Sequence, residues 1–420
     1  MKKTALVLLV SEQTIPNFLS IKIFDKCDYF VFITTSKVED PDKGNRRNWI
    51  IKATKISEDN TDFIIVEPDN YESVYDALVN YDWNQFKEVN VNITGGTKMM
   101  SIASFDFFRD KTSKIWYKPI DKEYYLQVKN VANQHPVSYQ MNVEEYLDCC
   151  GIIKDERRYS EKKTMSNFNT TVEIFNKFLE KRIDEESLNL FRLMYRADKK
   201  ELEMKIGKIK SENNYINNDK LSILEKSIQK NERTKLQRRS ILIENNYIVE
   251  NVFNIFGMKF PQDNVLNIKE VEYITGGWFE EFCLHSLKEI LGKDDSYFKL
   301  GVVLNPKPKD VEKASYFTNN DLDVVLTYNN DFYVVECKTG GMDITELYNK
   351  TIYLASALKK YFGLTVKSVL FTLSEVDNKK KDKAQTLGVM VIDRNDLMRE
   401  DYLQVIAEKL NFKTHVHQPN

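Results

Sequence analysis

The sequence predicts an α/β protein with two mixed domains separated by a charged helical connector. Three observations support this prediction: the length of 420 residues, the alternation of apolar runs with helical patterns at both ends, and a change to long, charged helical sequence between them. Because a single hydrophobic core stops growing well below this length, we expect two cores. We place the three regions at 1–140, 141–255 and 256–420.

The composition is that of a globular protein with an extensively solvated surface, since 42% of the residues are hydrophobic and 30% are charged. The 61 basic residues nearly cancel the 63 acidic ones. No global field therefore draws the chain to nucleic acid, and a polyanion must be held by a local patch.

The N-terminal apolar run, 5–10, is too short for a signal peptide, and no cleavage site follows it, so we interpret it as a buried strand. No stretch reaches the length of a membrane span, and the five cysteines have no CxxC spacing. We expect no membrane partner, disulfide or structural zinc, and a cytoplasmic location.

The first region alternates strands with helices. Short, nearly uninterrupted apolar runs predict strands at 4–10, 29–34, 62–67, 89–94 and 114–119. Apolar positions at helical spacing predict helices at 14–24, 46–54, 71–80 and 96–110. This alternation is typical of a doubly wound, Rossmann-like sheet.

The middle region is charged and helical, and it ends in a basic cluster at Lys230–Arg239. It is either a connector with solvated faces or a small winged-helix-like module that contacts nucleic acid. The third region resumes the α/β pattern. Its order is a helix at 276–292, strands at 322–328 and 332–338, a helix at 344–363, and strands at 366–373 and 388–393.

The two central strands of the third region flank Asn329 and Asn330, and asparagine tolerates the positive φ of a two-residue hairpin turn. Pairing counted back from that turn puts Asp323 opposite Glu336. Lys338 then lies on the same face as Glu336, whereas the Cys337 side chain points to the other face.

Two facing carboxylates repel each other unless a proton or cation lies between them. Asp323, Glu336 and a backbone carbonyl near Cys337 are therefore candidate ligands of a divalent metal. The metal would activate water, and Lys338 would stabilise the hydroxide or the phosphate charge. The alternative is a structural ion pair on a surface strand. Charged residues that end a buried strand are costly unless they are used, which favours the catalytic interpretation.

The Asp323…Glu336-Cys337-Lys338 pattern resembles the PD-(D/E)xK nuclease superfamily over roughly 255–400. That resemblance implies a restriction-endonuclease-like fold and an additional acidic residue on a preceding helix. Glu280 and Glu281 are the candidates, with Glu280 favoured. Thr345 and Tyr348, on the following helix, would contact substrate or pack against the domain.

The first region contains a candidate phosphate-binding loop at 94–98, between a strand and a helix. Gly95 and Gly96 permit close backbone approach, the helix start offers free N–H groups, and Lys98 adds positive charge. The spacing is neither that of a Walker A loop nor GxGxxG. The alternative is a tight strand-to-helix turn without a ligand.

The segment 92–100, NITGGTKMM, in the fourth βα unit resembles the CARF domain, a sensor of cyclic oligoadenylates, and the likeness covers about 1–140. The resemblance implies ligand contacts from the loops after the first and fourth strands, with weaker candidates after the second. These candidates are Ser11, Glu12, Gln13, Thr34, Thr35, Thr94, Gly95, Gly96, Thr97 and Lys98.

Together the two halves resemble ancillary nucleases of type III CRISPR systems. This resemblance implies a homodimer that is activated by cyclic tetra-adenylate and degrades DNA, and in some members RNA, with manganese or magnesium. A ligand-responsive regulator that only binds nucleic acid is the alternative, and messenger cleavage would be an additional activity. A HEPN ribonuclease is disfavoured because none of the four histidines follows an arginine at the required spacing.

Overall fold

The computed structural model describes most of the chain. The described residues are 2–40, 45–111, 113–120, 122–152, 159–179, 185–195, 204, 206, 222–225, 240–304, 321–339, 358–359, 362–363 and 366–413.

The N-terminal region forms a seven-stranded sheet in the order β3-β2-β1-β4-β5-β6-β7. Its strands are β1 (Lys3–Leu9), β2 (Tyr29–Thr34), β3 (Thr61–Ile65), β4 (Phe86–Asn92), β5 (Lys114–Tyr117), β6 (Tyr124–Gln127) and β7 (Asn130–Pro136). The first five are parallel, and β6 and β7 add antiparallel to the edge. The doubly wound prediction is confirmed, and the strand order reverses between β1 and β4.

Helices cover both faces of this sheet. They are α1 (Ile15–Ile23), α2 (Ser36–Glu39), α3 (Arg46–Thr54), α4 (Tyr71–Asn80), α5 (Lys98–Phe108) and α6 (Val143–Cys149). The α4 and α5 helices pack on one face, and α1, α3 and α6 pack on the other. Because β1 has helices on both sides, its residues from Ala5 to Leu9 are fully buried, as a continuous apolar run requires.

The C-terminal region contains a six-stranded sheet in the order β15-β14-β13-β12-β11-β8. Its strands are β8 (Tyr159–Lys162), β11 (Phe298–Leu304), β12 (Asp321–Tyr328), β13 (Asp331–Lys338), β14 (Val366–Thr372) and β15 (Val389–Ile392). The accompanying helices are α7 (Phe168–Leu179), α11 (Trp278–Leu291), α12 (Asn378–Thr386), α13 (Arg394–Leu397) and α14 (Tyr402–Leu410).

The two regions share a hydrophobic core. One face of the C-terminal sheet packs on α7, α11 and α14, and the opposite face packs on α1 and α6 of the N-terminal region. Tyr146 of α6 stacks on Phe332 of β13 at 4.8 Å between ring centroids, and its hydroxyl donates a hydrogen bond to the Phe362 carbonyl. The sheet that carries the predicted catalytic residues is therefore in direct contact with the N-terminal domain.

The middle region contains a small separate core. It is built by α8 (Glu185–Tyr195), α9 (Tyr247–Phe256), α10 (Ile268–Glu272) and a two-stranded ribbon of β9 (Ser240–Leu242) and β10 (Val265–Asn267). Three elements from the predicted 141–255 region belong elsewhere: α6 packs on the N-terminal sheet, β8 pairs with β11 of the C-terminal sheet, and α7 packs on α11. The basic cluster Lys230–Arg239 lies outside the described residues.

Candidate active site

The hairpin of β12 and β13 has the expected register. Asn329 and Asn330 adopt φ values of 50° and 60°, and the pairing runs from Tyr328 opposite Asp331 to Val324 opposite Val335. The predicted asparagine turn is confirmed. Continuing the register by one pair brings Asp323 opposite Glu336 at the far end of the hairpin.

Asp323, Glu336, the Cys337 carbonyl and Lys338 form a group that we call the strand-end cluster. The Lys338 ammonium lies 2.6 Å from Glu336 Oε1, 3.4 Å from Asp323 Oδ2 and 3.1 Å from the Cys337 oxygen. The Cys337 N–H donates to Asp323 Oδ2 at 2.7 Å, which fixes the carboxylate against β13. Three oxygen atoms therefore surround the Lys338 ammonium.

Burial and charge act in opposite directions on Lys338. Burial alone would lower the pKa of Lys338, but the carboxylates of Asp323 and Glu336 outweigh burial and raise it above its usual value. Lys338 therefore keeps its positive charge at any physiological pH.

The two adjacent glutamates at the start of α11 have different surroundings. Glu280 faces the strand-end cluster, and its pKa is raised to about 7, first by burial and then by the nearby Asp323 carboxylate. Glu281 is 2% exposed and instead accepts hydrogen bonds from the backbone N–H groups of Met165 and Ser166 and from the Ser166 hydroxyl. The structure brings Glu280 to the cluster and leaves Glu281 outside it.

Lys162, which β8 brings to the same place, was not predicted as a site residue. Its ammonium lies 3.5 Å from Glu280 Oε2, and 40% of its side chain is exposed. β8 is a polar, four-residue edge strand that pairs with β11, nearly 140 residues later in the chain. No local sequence pattern predicts such a strand.

The Cys337 side chain points away from the cluster, as the alternation of the strand predicts. It is buried against Cys283 of α11, and burial raises the pKa of both thiols. The thiolate form is therefore disfavoured, and Cys337 can contribute to the cluster only through its backbone.

The strand-end cluster suits a hard divalent cation. Within the described part of the chain, no three or more His, Cys, Asp and Glu side chains are spaced to bind a metal ion. At the strand-end cluster a cation would have the carboxylates of Asp323 and Glu336 and the Cys337 carbonyl as ligands, with water in the other positions. Magnesium and manganese favour such oxygen donors, and the Lys338 ammonium stands at the point where these donors meet.

In the N-terminal domain, the loops after β1 and β4 lie side by side at the point where the strand order reverses. Ligands of doubly wound sheets bind in this position. A Cβ atom at Gly95 would overlap the Leu9 carbonyl oxygen, and Gly96 has a φ of 75°. The glycines thus have a structural reason, since they let the second loop pass directly over the end of β1.

Several predicted ligand residues of these loops already have partners. The Thr94 hydroxyl donates to Asn92 and accepts from the Lys118 N–H, and Thr97 caps α5 by accepting from the Met100 N–H. These side chains hold the loop in shape, and Lys98 at the start of α5 is exposed to solvent.

The loop after β1 contains both a charged and an interdomain contact. The Ser11 hydroxyl accepts from the Gln13 N–H, and the Gln13 side chain lies against Gly363 of the C-terminal domain. Glu12 is exposed and forms long ion pairs with Lys37 at 3.8 Å and Arg46 at 3.9 Å. These two cations were not singled out from the sequence.

The weaker candidates lie at the end of β2 and directly after it. Thr34 is fully buried, and its hydroxyl has no hydrogen-bond partner among the described residues. Thr35 caps α2 by accepting from the Val38 N–H. The remaining candidates of the C-terminal domain, Thr345 and Tyr348, lie outside the described residues.

The fold and the cluster define a class of protein: a Rossmann-like domain joined to a restriction-endonuclease-like domain with a carboxylate and lysine site. Comparison with sequence families agrees. Residues 5–146 match the Card1 CARF domain, and residues 268–408 match the Card1-like endonuclease domain. Each of these two regions is thus similar to one domain family, and the order of the two matches is the order predicted from the sequence. The resemblance to CRISPR ancillary nucleases that was inferred from the sequence is confirmed.

Solved structures share this architecture over nearly the whole chain. Can2 from Sulfobacillus thermosulfidooxidans, solved in complex with cyclic tetra-adenylate, is 17% identical with a TM-score of 0.62, and the match covers 97% of this chain and 98% of Can2. Protein VC1899 from Vibrio cholerae is 13% identical with a TM-score of 0.64 over 96% and 97% of the two chains. At these identities the likeness establishes the fold.

Comparison with curated proteins gave no match. None of the helices in the described part of the chain is long and apolar enough to cross a membrane.

Proposed function

We propose that this protein is a metal-dependent nuclease that cyclic tetra-adenylate activates and that degrades DNA, with RNA as a second candidate substrate, in type III CRISPR antiviral defence in the cytoplasm. One observation supports the chemistry above all others. Within a Card1-like endonuclease domain, two carboxylates, a carbonyl and a lysine meet at the ends of two paired strands.

The roles in this proposal follow from the contacts. Asp323 and Glu336 hold manganese or magnesium together with the Cys337 carbonyl. A bound divalent cation activates water and neutralises charge on the phosphate. Lys338 stays protonated and donates hydrogen bonds to the phosphate oxygens as negative charge develops. Glu280, which faces Asp323, orients water at the edge of the site.

The proposed activator site lies over the carboxyl ends of β1 and β4. Support comes from the CARF family match, from the position of the loops at the strand-order reversal, and from the exposed Lys98 at a helix start. The Can2 structure, which contains cyclic tetra-adenylate, favours this ligand among the cyclic oligoadenylates. We propose that two protomers bind one symmetric ring across a two-fold axis.

Coupling between the domains needs no long connector, because the hairpin that carries the cluster touches the N-terminal domain. Asn330 at the hairpin tip donates to the Tyr139 carbonyl and to Glu123, and it accepts from the Met141 N–H. At the other side, Gln13 of the proposed activator loop lies against Gly363. The Asn330 contacts join the catalytic sheet directly to the N-terminal domain, whereas the Gln13 contact reaches the chain just before β14.

A regulator that only binds nucleic acid is the second candidate. The charged middle region and its basic cluster at Lys230–Arg239 would serve such a function. Cleavage separates the two candidates, because a pure binding protein has no use for the strand-end cluster.

The deciding experiment incubates plasmid and single-stranded substrates with the protein, manganese and cyclic tetra-adenylate. We expect wild-type cleavage and none with Asp323→Asn or Glu336→Gln, while both variants bind the activator with wild-type affinity. Cleavage that survives in both variants at limiting metal would reject the site. Binding of substrate without any cleavage by the wild type would support the regulator.

A further inference from the structure

The ammonium of Lys162 lies beside the strand-end cluster without belonging to the nuclease motif. Lys162 belongs to β8, a strand on the outer edge of the sheet, and its ammonium lies 3.5 Å from Glu280 Oε2. With 40% of its side chain exposed, against 16% for Glu280, the lysine is on the solvent side of this ion pair. An approaching polyanion would therefore meet Lys162 before it meets Glu280.

A backbone irregularity in β11 makes room for the Lys162 side chain. The pairing of β8 with β11 is irregular between Leu300 and Val303, and Gly301 within that irregularity has a φ of 55°. A Cβ atom at Gly301 would overlap the aliphatic stem of Lys162. The glycine therefore supplies both the left-handed backbone conformation and the space in which the lysine stem crosses β11.

The acidic side chains of the site indicate why an outward-facing cation would be needed there. Glu280, Asp323 and Glu336 contribute three carboxylates, and Lys338 is engaged with two of them. A nucleic acid backbone is repelled by such a site unless cations face outward. The side chain of Lys162 is more exposed than that of Lys338, at 40% against 23%.

We propose that Lys162 contacts the substrate directly and binds a backbone phosphate of the nucleic acid beside the strand-end cluster. The inference rests on the proposed nuclease function and adds a substrate-binding residue to it. Gly301 is the positioning residue that allows Lys162 to reach this place.

The test measures how binding depends on salt, because each phosphate contact contributes a fixed slope to a plot of log affinity against log salt concentration. Binding of a labelled substrate strand is followed by fluorescence anisotropy with chelator, at saturating cyclic tetra-adenylate, over a range of sodium chloride concentrations. Lys162→Gln should reduce the slope by about 0.9 for duplex DNA or about 0.7 for a single strand. In cleavage assays it should raise KM more than it lowers kcat.

Lys367→Gln is the matched control. Lys367 has 36% of its side chain exposed and pairs with Asp331 at 3.7 Å, but it lies at the hairpin-turn end of the sheet. Its slope should equal that of the wild type. Gly301→Ala should reduce the slope as Lys162→Gln does, and the double variant should reduce it no further.

An unchanged slope in Lys162→Gln would overturn the inference, as would an equal loss in Lys367→Gln. Weaker metal binding at an unchanged slope would also overturn it, because Lys162 would then act only by holding Glu280. These outcomes leave the nuclease function standing if the wild type cleaves. Absence of cleavage by the activated, metal-loaded wild type would instead refute the proposed function itself.

Discussion

The tip of the β12–β13 hairpin offers a sharp test of the contact between the two domains. Asn330 is 4% exposed, and its side chain makes three hydrogen bonds to the N-terminal domain, with Tyr139, Glu123 and Met141. At about 1 kcal/mol each, their loss in Asn330→Gly should lower the free energy of unfolding by about 3 kcal/mol. Glycine is chosen because φ is positive here, so the substitution adds no backbone strain.

Asn329→Gly provides the matched control for this measurement. Asn329 is the neighbouring turn residue, is exposed, has a φ of 50°, and contacts Gln140 through its backbone N–H, which glycine keeps. Both variants carry the same cost of added flexibility in the unfolded chain. Urea unfolding followed by tryptophan fluorescence should separate them by about 3 kcal/mol. Equal midpoints for the two variants would refute the claim that the hairpin tip is bound to the N-terminal domain.

Three further predictions concern single side chains. Glu281→Ala should lower the free energy of unfolding by at least about 3 kcal/mol, because the donors at Met165 and Ser166 lose their acceptor. The cleavage rate per folded molecule should match that of the wild type, and a stable but inactive variant would contradict this prediction. Folding raises the pKa of Glu280 from 4.5 to about 7, so the folded state binds more protons in that window and loses stability as pH rises through it. In metal-free protein, Glu280→Gln should therefore raise the free energy of unfolding little near pH 4.5 and by up to about 3 kcal/mol above pH 7. Urea unfolding with chelator at pH 5 and 8 measures this difference. An equal increase at both pH values would count against burial as the cause of the raised pKa. Lys98→Ala should raise the half-activating concentration of cyclic tetra-adenylate about ten- to a hundredfold at an unchanged maximal rate, and an unchanged activation curve would exclude Lys98 from the activator site.

Local patterns were sufficient to predict the parallel strands of the N-terminal sheet and the hairpin that carries the cluster. The apolar runs gave β1 to β5, and the asparagine pair gave the hairpin turn and the register that brings Asp323 opposite Glu336. Both are properties of short segments, because a two-residue turn and the alternation of side chains leave one arrangement of the paired strands.

Features that depend on distant segments were not predictable in this way. Glu280 and Glu281 are adjacent on a helix, and only the packing of α11 decides which of them faces the cluster. Lys162 sits on a polar edge strand whose partner, β11, begins at Phe298. The burial of the hairpin tip also depends on a contact between residues nearly 190 positions apart, Met141 and Asn330.

The dependence of cleavage on the activator tests the central claim most directly. The rate of substrate cleavage by wild-type protein is measured at fixed manganese while cyclic tetra-adenylate is titrated from zero to saturation. A nearly complete switch requires roughly 10⁴-fold preference of the ligand for the active state. We expect an idle enzyme without the ligand and a saturable rise in rate with it. Full cleavage in the absence of the ligand, or none at saturation, would contradict the account.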